Sequence, residues 1–289
     1  MSRTVMQTLN GDTLLLSPSR IFHWSRLAVL LLAVVLISGC ANTPDPKDTA
    51  AVAEYEKLND PAEPTNRAIF QFNKVLDTAI FKPVSKTYKD YTPDVLQKGV
   101  HNVLNNLRTP IIFANDLLQG KLERAWDTLA RFVINSTIGF AGLGDPATDF
   151  GFKFHNEDFG QTLAAWGMPE GPYIVLPVFG PSNPRDTVGL VVDALIDPLN
   201  IWLSNTNREE FIFARAGMRG IDERTRNYDA LEDLEKSSLD FYASLRSLYR
   251  QRRGDEIRDG KPSTNIPMPG FSDNFPGFEP NQNAASRTH

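Results

Sequence analysis

Apolar residues recur at helical spacing over most of the chain between Asn59 and Arg253, and this periodicity restricts the fold class more than any other feature. The clearest amphipathic helix is predicted over Lys121–Thr137. Its apolar stripe consists of Leu122, Ala125, Trp126, Leu129 and Val133. No segment shows the alternation of a half-buried strand, and the sequence has no internal repeat. It therefore predicts an all-α fold, a single domain of amphipathic helices.

Prolines divide the first half of this region. A helix is predicted over Thr65–Phe81, and Pro83 is expected to interrupt it. A second helix is predicted from Pro93 to Leu107, because proline favours the first helical turn. The short apolar stretch Pro110–Leu118 follows as a separate segment.

In the second half, the apolar run 188–192 predicts a buried helix over Asp186–Ile196, which Pro198 ends. The charge density of Glu209–Arg253 predicts two helices with water-facing sides. Their break is expected near one of three residues, Gly217, Gly220 or Asn227.

The N-terminus predicts a lipid anchor. Arg20 and Arg26 precede an apolar run over Leu27–Ile37, which has the length of a signal-peptide core and is too short to span a bilayer. The sequence Ile-Ser-Gly-Cys then resembles a bacterial lipobox, with signal cleavage between Gly39 and Cys40 and acylation of Cys40. The alternative is a signal anchor with an incidental cysteine, although this is the chain's single cysteine.

These features predict four regions: a signal peptide over residues 1–39, a lipidated tether over 40–58, a helical domain over 59–253 and a disordered tail over 254–289. Three phenylalanines in the tail leave a short docking motif as an alternative there. Residue 41 is alanine, whereas aspartate at this position retains lipoproteins in the inner membrane of enteric bacteria. Resemblance to that rule implies the outer membrane.

A glycine-rich loop follows the amphipathic helix and consists of Gly139, Phe140, Ala141, Gly142, Leu143 and Gly144. Its glycine order and the lack of a following lysine exclude a P-loop. Two interpretations remain open. The loop is either a gate, in which glycines permit rearrangement while Phe140 and Leu143 seal against acyl chains, or a static turn that caps the helix.

The segment Gly167–Asp186 holds five prolines around the apolar run Tyr173–Phe179. A continuous helix is impossible there, and the run must be buried against protein or contact lipid. The sequence leaves both alternatives open.

Chemistry-bearing motifs are few. The net charge of −5 argues against nucleic acid as a partner, and a single cysteine excludes an internal disulfide. The sequence contains no G-x-S-x-G and no H-E-x-x-H, and His155–Asp158 is interpreted as a solvated loop. We therefore expect no enzyme activity, no cofactor and no metal site.

Ordered sequence blocks nevertheless resemble one family, the MlaA (VacJ) outer-membrane lipoproteins. The first blocks are Asn59-Asp60-Pro61, Asn66-Arg67, Phe70-x-Phe72-Asn73 and Phe81-Lys82-Pro83. The next are Asn115-Asp116-Leu117-Leu118-Gln119-Gly120, Arg131-Phe132-x-x-Asn135-Ser136-Thr137 and Glu157-Asp158-Phe159-Gly160-Gln161-Thr162-Leu163. The last are Trp166-Gly167, Gly171-Pro172-Tyr173, Leu176-Pro177, Gly180-Pro181-Ser182 and Arg185-Asp186.

The resemblance implies a ring-like helical protein that is embedded in the periplasmic leaflet of the outer membrane. Such proteins remove mislocalised phospholipids from the outer leaflet, bind trimeric porins and pass lipid to a soluble periplasmic carrier. The residues expected to face lipid are Phe70, Phe72, Trp126, Tyr173, Ile174, Leu176 and Phe179. The alternatives are a structural lipoprotein that braces porins without moving lipid and, less favoured, a periplasmic hydrolase.

Overall fold

The computed structural model describes residues 58–261, and this part of the chain is mostly helical. The helices are α1 (Glu63–Leu76), α2 (Lys82–Tyr91), α3 (Asp94–Leu118), α4 (Leu122–Thr137), α5 (Pro146–Asp149), α6 (Phe159–Ala165), α7 (Pro184–Ile196), α8 (Pro198–Asn205), α9 (Glu209–Arg226), α10 (Tyr228–Ser237) and α11 (Phe241–Ile257). The strands are β1 (Ile174–Leu176) and β2 (Gly180–Ser182). The all-α class is confirmed. The predicted signal peptide, Gly39, Cys40 and most of the tail lie outside the described residues.

Pro83 does not interrupt the first helix, contrary to the sequence-based expectation. A π-helical turn over Asp77–Phe81 joins α1 to α2, and the helical backbone continues through Pro83. A π-turn is wider than an α-turn and moves the preceding carbonyls away from the proline ring. The local widening therefore accommodates a residue that would otherwise break the helix.

Helix α3 also continues through a proline. It begins after Pro93 and runs 25 residues to Leu118, with Pro110 inside it. The prediction of a separate segment over residues 110–118 is therefore wrong. Leu104, Ile111 and Ile112, which precede and follow Pro110 in the sequence, are buried, and their burial stabilises the helix despite the lost hydrogen bond.

The Pro-rich segment forms a small antiparallel hairpin, although its sequence predicts no strand. Strands β1 and β2 pair with Ile174 opposite Ser182. Side-chain amides of Asn66 and Asn73 on α1 hydrogen-bond the backbone on the other side of β1. These amides take the place of a third strand, so a three-residue strand is stable inside a helical protein.

The C-terminal region contains three helices where two were expected. Helix α9 runs through both glycines and ends at Arg226, so the first break falls at Asn227, and a second break separates α10 from α11 at Ser238. Helix α11 continues to Ile257, so the residues from Gly254 to Ile257 are helical where a disordered tail was predicted. Ion pairs of Arg252 and Arg253 with Glu256, four and three residues away respectively, support this last turn.

A small cluster of buried apolar residues lies between α1, the hairpin and α11. Phe70 of α1, Tyr173 and Val175 of the hairpin and Tyr242 of α11 form its buried centre. The Phe70 ring packs edge-on against Tyr242 at a centroid distance of 5.4 Å. This cluster joins the beginning and the end of the domain.

Candidate functional site

Helix α4 is inverted relative to a helix of a water-soluble protein. Its apolar stripe is exposed except for Ala125, with Trp126 at 63% and Val133 at 52% relative accessibility. The opposite face, which carries Thr128, Arg131 and Asn135, is buried. In water, an amphipathic helix buries its apolar face. The sequence predicted α4 to within one residue, but it did not indicate which face points inward.

The buried polar face of α4 is fully engaged in hydrogen bonds. Thr128 donates its hydroxyl hydrogen to a carboxylate oxygen of Asp116 at 2.7 Å. Arg131 and Asn135 both donate to Oδ1 of Asp145 at 2.8 Å. Burial opposes ionisation of Asp145, but its hydrogen bonds with Thr148, Arg131 and Asn135 outweigh it and lower its pKa. The interior beside α4 is therefore a connected polar network.

Helix α7 repeats the inversion and corrects the expectation that its apolar run is buried. Val188 and Leu190 are exposed, whereas Arg185 and Gly189 are buried. Gly189 is buried because α7 crosses α6 closely: a Cβ at this position would lie 2.3 Å from the backbone nitrogen of Gly160. Helix α4 is rich in charged residues and helix α7 is mostly apolar, yet both expose apolar side chains.

No single helix within residues 58–261 is both long and apolar enough to cross a membrane. The pair α7 and α8, bent by 52° at Asp197, meets the length and composition requirement when taken together.

The residues expected to face lipid fall into two groups. Phe72, Trp126 and Phe179 are exposed, at 55%, 63% and 64%. The others are buried in the protein, which corrects the expectation for them, and they are Phe70, Tyr173, Ile174 and Leu176. The apolar hairpin lies against α1, and Phe70 lies on the face of α1 that carries Asn66. The hairpin residues and Phe70 are therefore buried against protein.

A cavity of about 340 Å³ lies between α3, α7, α11 and the hairpin. One part of its wall is apolar and includes Leu176, Phe179 and Leu190. The other part is charged and includes Arg108 and Asp193. Such a mixed lining suits an amphipathic ligand, which has both a polar and an apolar part.

An arginine clamp closes the charged side of this cavity. Arg253 donates two hydrogen bonds of 2.7 Å to the carboxylate of Asp158 and two more, of 2.9 and 3.0 Å, to that of Asp186. Burial opposes ionisation of Asp158, but Arg253 outweighs it and lowers its pKa to about 2. Gly160 leaves room for the clamp, because a Cβ there would lie 2.6 Å from the Arg253 guanidinium.

The pKa of Asp193, in contrast to that of Asp158, is raised. Burial raises the pKa of its carboxyl to about 6, and hydrogen bonds from the Phe159 N–H and the Asn115 amide only partly offset this effect. The larger cavity therefore contains a carboxyl group that titrates near neutral pH.

A smaller cavity of about 100 Å³ lies between α3 and α4 and has an amide-rich lining that includes Asn102, Asn105 and Asn106. His101 also lines it and contacts the Asp222 carboxylate at 2.7 Å. Polar side chains at successive turns of α3 thus face the interior.

The glycine loop lies beside this smaller cavity and caps α4. The N–H of Gly142 donates to the carbonyl of Asn135 at 2.8 Å, and the amide of Asn102 donates to the Leu143 carbonyl at 3.1 Å. Gly142 adopts φ +91°, and a Cβ there would lie 2.7 Å from Cβ of Asn106. Phe140 and Ala141 also have positive φ, which is uncommon for residues with a side chain. Phe140 is 81% exposed.

The segment 155–158 is not a solvated loop. Glu157 is fully buried and binds Arg124 at 2.9 Å and the Gln119 amide at 2.9 Å. His155 contacts Asp116 at 3.0 Å. Among the described residues, no group of histidine, cysteine, aspartate or glutamate side chains is arranged to hold a metal ion.

Exposed apolar helix faces, a polar interior and a mixed-lining cavity define a helical protein suited to handling amphipathic molecules at a membrane. Comparison with known proteins identifies its family: residues 58–256 match the MlaA lipoprotein model, and the chain belongs to this family. Members are lipoproteins of phospholipid transport associated with the outer membrane.

Individual relatives support the same family assignment. The Haemophilus influenzae "intermembrane phospholipid transport system lipoprotein MlaA" is 32% identical over 235 residues, which cover 80% of this chain and 90% of the relative. The Escherichia coli protein of that description is 31% identical, covering 83% and 92%. A solved structure described as the "structural basis for maintenance of bacterial outer membrane lipid asymmetry" is similar with a TM-score of 0.59 and 31% identity, covering 68% of this chain and 98% of that one.

Proposed function

We propose that this protein removes mislocalised phospholipids from the outer leaflet of the outer membrane and passes them to a soluble periplasmic carrier. In this proposal it is anchored through acylated Cys40 and embedded as a ring in the periplasmic leaflet. The inverted helix α4 is the observation that carries the proposal. Exposed Trp126 and Val133 suit contact with acyl chains, and buried Thr128 and Arg131 suit a polar interior.

The energetics of lipid transfer require this arrangement. Moving two acyl chains of roughly sixteen carbons through water costs on the order of 20 kcal/mol, at about 0.8 kcal/mol per CH₂ group. A transporter without its own energy source must keep the chains in hydrocarbon while the headgroup follows a polar route. In this proposal, the exposed apolar residues on α4 and α7 contact the acyl chains, and the two cavities provide polar groups for the headgroup.

The glycine loop is proposed as the gate of this route. It lies at the amide-lined cavity and presents Phe140 and Leu143 to the surroundings. Its left-handed residues place the backbone in a sparsely populated conformation, which is a common property of segments that rearrange. The partners in the proposal are a trimeric porin, which surrounds or borders the ring, and the periplasmic carrier.

The experiment compares two variants that each place a carboxylate at an exposed apolar position. Val133→Asp changes the α4 face that would contact acyl chains, whereas Leu239→Asp changes the turn before α11, where the neighbouring helices are rich in charge. Each variant replaces the wild-type protein in cells that lack their own relative. Outer-leaflet phospholipid is measured by its hydrolysis when intact cells are treated with phospholipase.

We expect Val133→Asp to raise outer-leaflet phospholipid and detergent sensitivity to the level of the deletion strain at normal protein levels. Leu239→Asp should match the wild type. Equal activity of both variants would contradict contact between α4 and acyl chains. A porin brace that moves no lipid predicts instead that the wild-type protein lowers detergent sensitivity without changing outer-leaflet phospholipid.

A further inference from the structure

Two arginines on neighbouring helices have carboxylates nearby but contact none of them directly. Arg108 of α3 and Arg219 of α9 are both partly buried, yet neither makes a hydrogen bond or an ion pair with any residue in the range 58–261. Arg215, one helical turn from Arg219, differs because it pairs with Asp197 and with Asn200. The interior otherwise engages its cations thoroughly, as Arg253 and Arg131 illustrate.

The helices bring the two guanidinium groups to one region. His101 of α3 contacts Asp222 of α9 and fixes the two helices against each other. Arg108 lies two turns from His101, and Arg219 lies one turn from Asp222, so each shares a helix face with the residue that makes the contact. The positive charge of Arg108 adds to the effect of burial in lowering the pKa of Arg219 to about 10. The two cations are therefore close enough to repel each other.

Of the two arginines, Arg108 borders the larger cavity, whose charged wall also carries carboxylates, those of Asp158 and Asp186 being held by Arg253. Arg108 lines it together with Leu176, Phe179 and Leu190, whose side chains form its apolar wall. A ligand with an anionic group against Arg108 can therefore place an apolar portion against these three residues.

The carboxylates of Asp193 and Glu223 offset part of the charge of Arg108 and Arg219, respectively, without forming ion pairs with them. A bound anion in direct contact with both guanidinium groups would relieve their remaining repulsion. The planar guanidinium matches the geometry of phosphate oxygens, and two such groups can share one phosphate. We propose that Arg108 and Arg219 form a phosphate-binding site that holds the phosphodiester of a phospholipid at the larger cavity. This inference rests on the proposed function, because it takes the ligand from the lipid that the protein would transport.

Binding to the purified full-length lipoprotein in a nonionic detergent tests the site. The probes are dihexanoyl phosphatidylglycerol and inorganic phosphate, and affinities are measured by isothermal titration calorimetry. The variants are Arg108→Gln, Arg219→Gln and their combination. Arg208→Gln is the matched control, because Arg208 is exposed and lies 5.8 Å above the Trp202 ring.

We expect each single substitution to weaken binding of the lipid at least five-fold and the double substitution at least twenty-fold, whereas Arg208→Gln leaves the affinity unchanged. The melting temperature should change little in the Arg108 and Arg219 variants, since no direct ion pair is lost and the removed repulsion between the arginines offsets the lost attraction to nearby carboxylates. A general structural role would instead lower it. Unchanged lipid affinity in the double variant, or an equal loss in Arg208→Gln, would overturn the site.

Titration with inorganic phosphate distinguishes a site for a lipid phosphodiester from a site for free phosphate. If inorganic phosphate binds as tightly as the lipid, the site belongs to free phosphate and the lipid assignment is wrong. Failure of the transport proposal is distinguishable: the wild-type protein would then not restore lipid asymmetry in cells, although lipid binding in vitro would still depend on Arg108 and Arg219. The reverse pattern, in which the double variant restores asymmetry fully, would overturn the site and leave transport intact.

Discussion

The side-chain amide of Asn66 accepts a hydrogen bond of 2.9 Å from the backbone N–H of Val175, 109 positions away in the sequence. The same amide donates to the Tyr173 carbonyl at 3.0 Å and to the Asp60 carboxylate at 2.7 Å. Asp60 in turn accepts hydrogen bonds from Tyr242 and Arg246 of α11. One asparagine thus connects α1, the hairpin and the last helix.

Replacing Asn66 with alanine should therefore destabilise the protein by about 2–4 kcal/mol, because it leaves a buried N–H and a buried carbonyl without partners. Asn73→Ala is the control, since it removes a similar pair of bonds where Val178 is exposed to solvent. We expect it to cost about 1 kcal/mol. Chemical denaturation measures both, and equal losses would contradict the bridging role of Asn66.

The arginine clamp should be sensitive to the shape of its side chain. Arg253→Lys retains the charge but loses the fork that binds Asp158 and Asp186, and we expect it to destabilise the protein nearly as much as Arg253→Ala, by about 3–5 kcal/mol. Arg252→Gln, which breaks an exposed pair with Glu256, should change stability by less than about 0.5 kcal/mol. Wild-type stability in the lysine variant would mean that charge alone suffices.

Asp193 should make stability depend on pH between about 4 and 6. Its folded pKa of about 6 exceeds the ordinary aspartate value of 3.8, so the folded state binds more protons in this window. The stability of the wild type relative to Asp193→Asn should therefore fall as the pH rises from 4 to 6 and level off above 6. Denaturation curves at several pH values measure this difference. A difference that is constant over this window would show that the carboxyl is not shifted.

The glycine loop can be tested through Ala141, which has φ +59°. If the loop is only a cap, Ala141→Gly should relieve backbone strain, stabilise the protein by up to about 1 kcal/mol and leave lipid asymmetry unchanged. If the loop is a gate, the added freedom should raise outer-leaflet phospholipid at normal protein levels. Phospholipase accessibility on intact cells and a melting curve distinguish the two outcomes.

Acylation at Cys40 is a prediction from the sequence alone. Cys40→Ser should leave an unprocessed precursor, because the signal peptidase needs a lipidated cysteine at the cleavage site. Mass spectrometry of the wild-type protein should find a mature N-terminus that begins with an acylated cysteine. A mature N-terminus elsewhere, without lipid, would contradict the predicted anchor.

The identity and bounds of several helices were predictable because their signals are local. Helix α4 begins within one residue of the predicted start, and α7 ends at Ile196 before Pro198, as expected. The resemblance to the family was likewise carried by short blocks such as Glu157–Leu163. The consequences of Pro83 and Pro110 were not predictable, because a π-turn in one case and packing against neighbouring helices in the other compensate for the lost hydrogen bonds.

By itself, the sequence determined the helical class, the polar and apolar faces of α4 and the family. Periodicity and motif order are properties of neighbouring residues, and they need no knowledge of the surroundings. Only the tertiary structure decided which face of α4 points inward and where Phe70 and Tyr173 are buried. Each of these depends on contacts between residues that are distant in the chain, and the direction in which a helix turns its apolar face depends on what surrounds it.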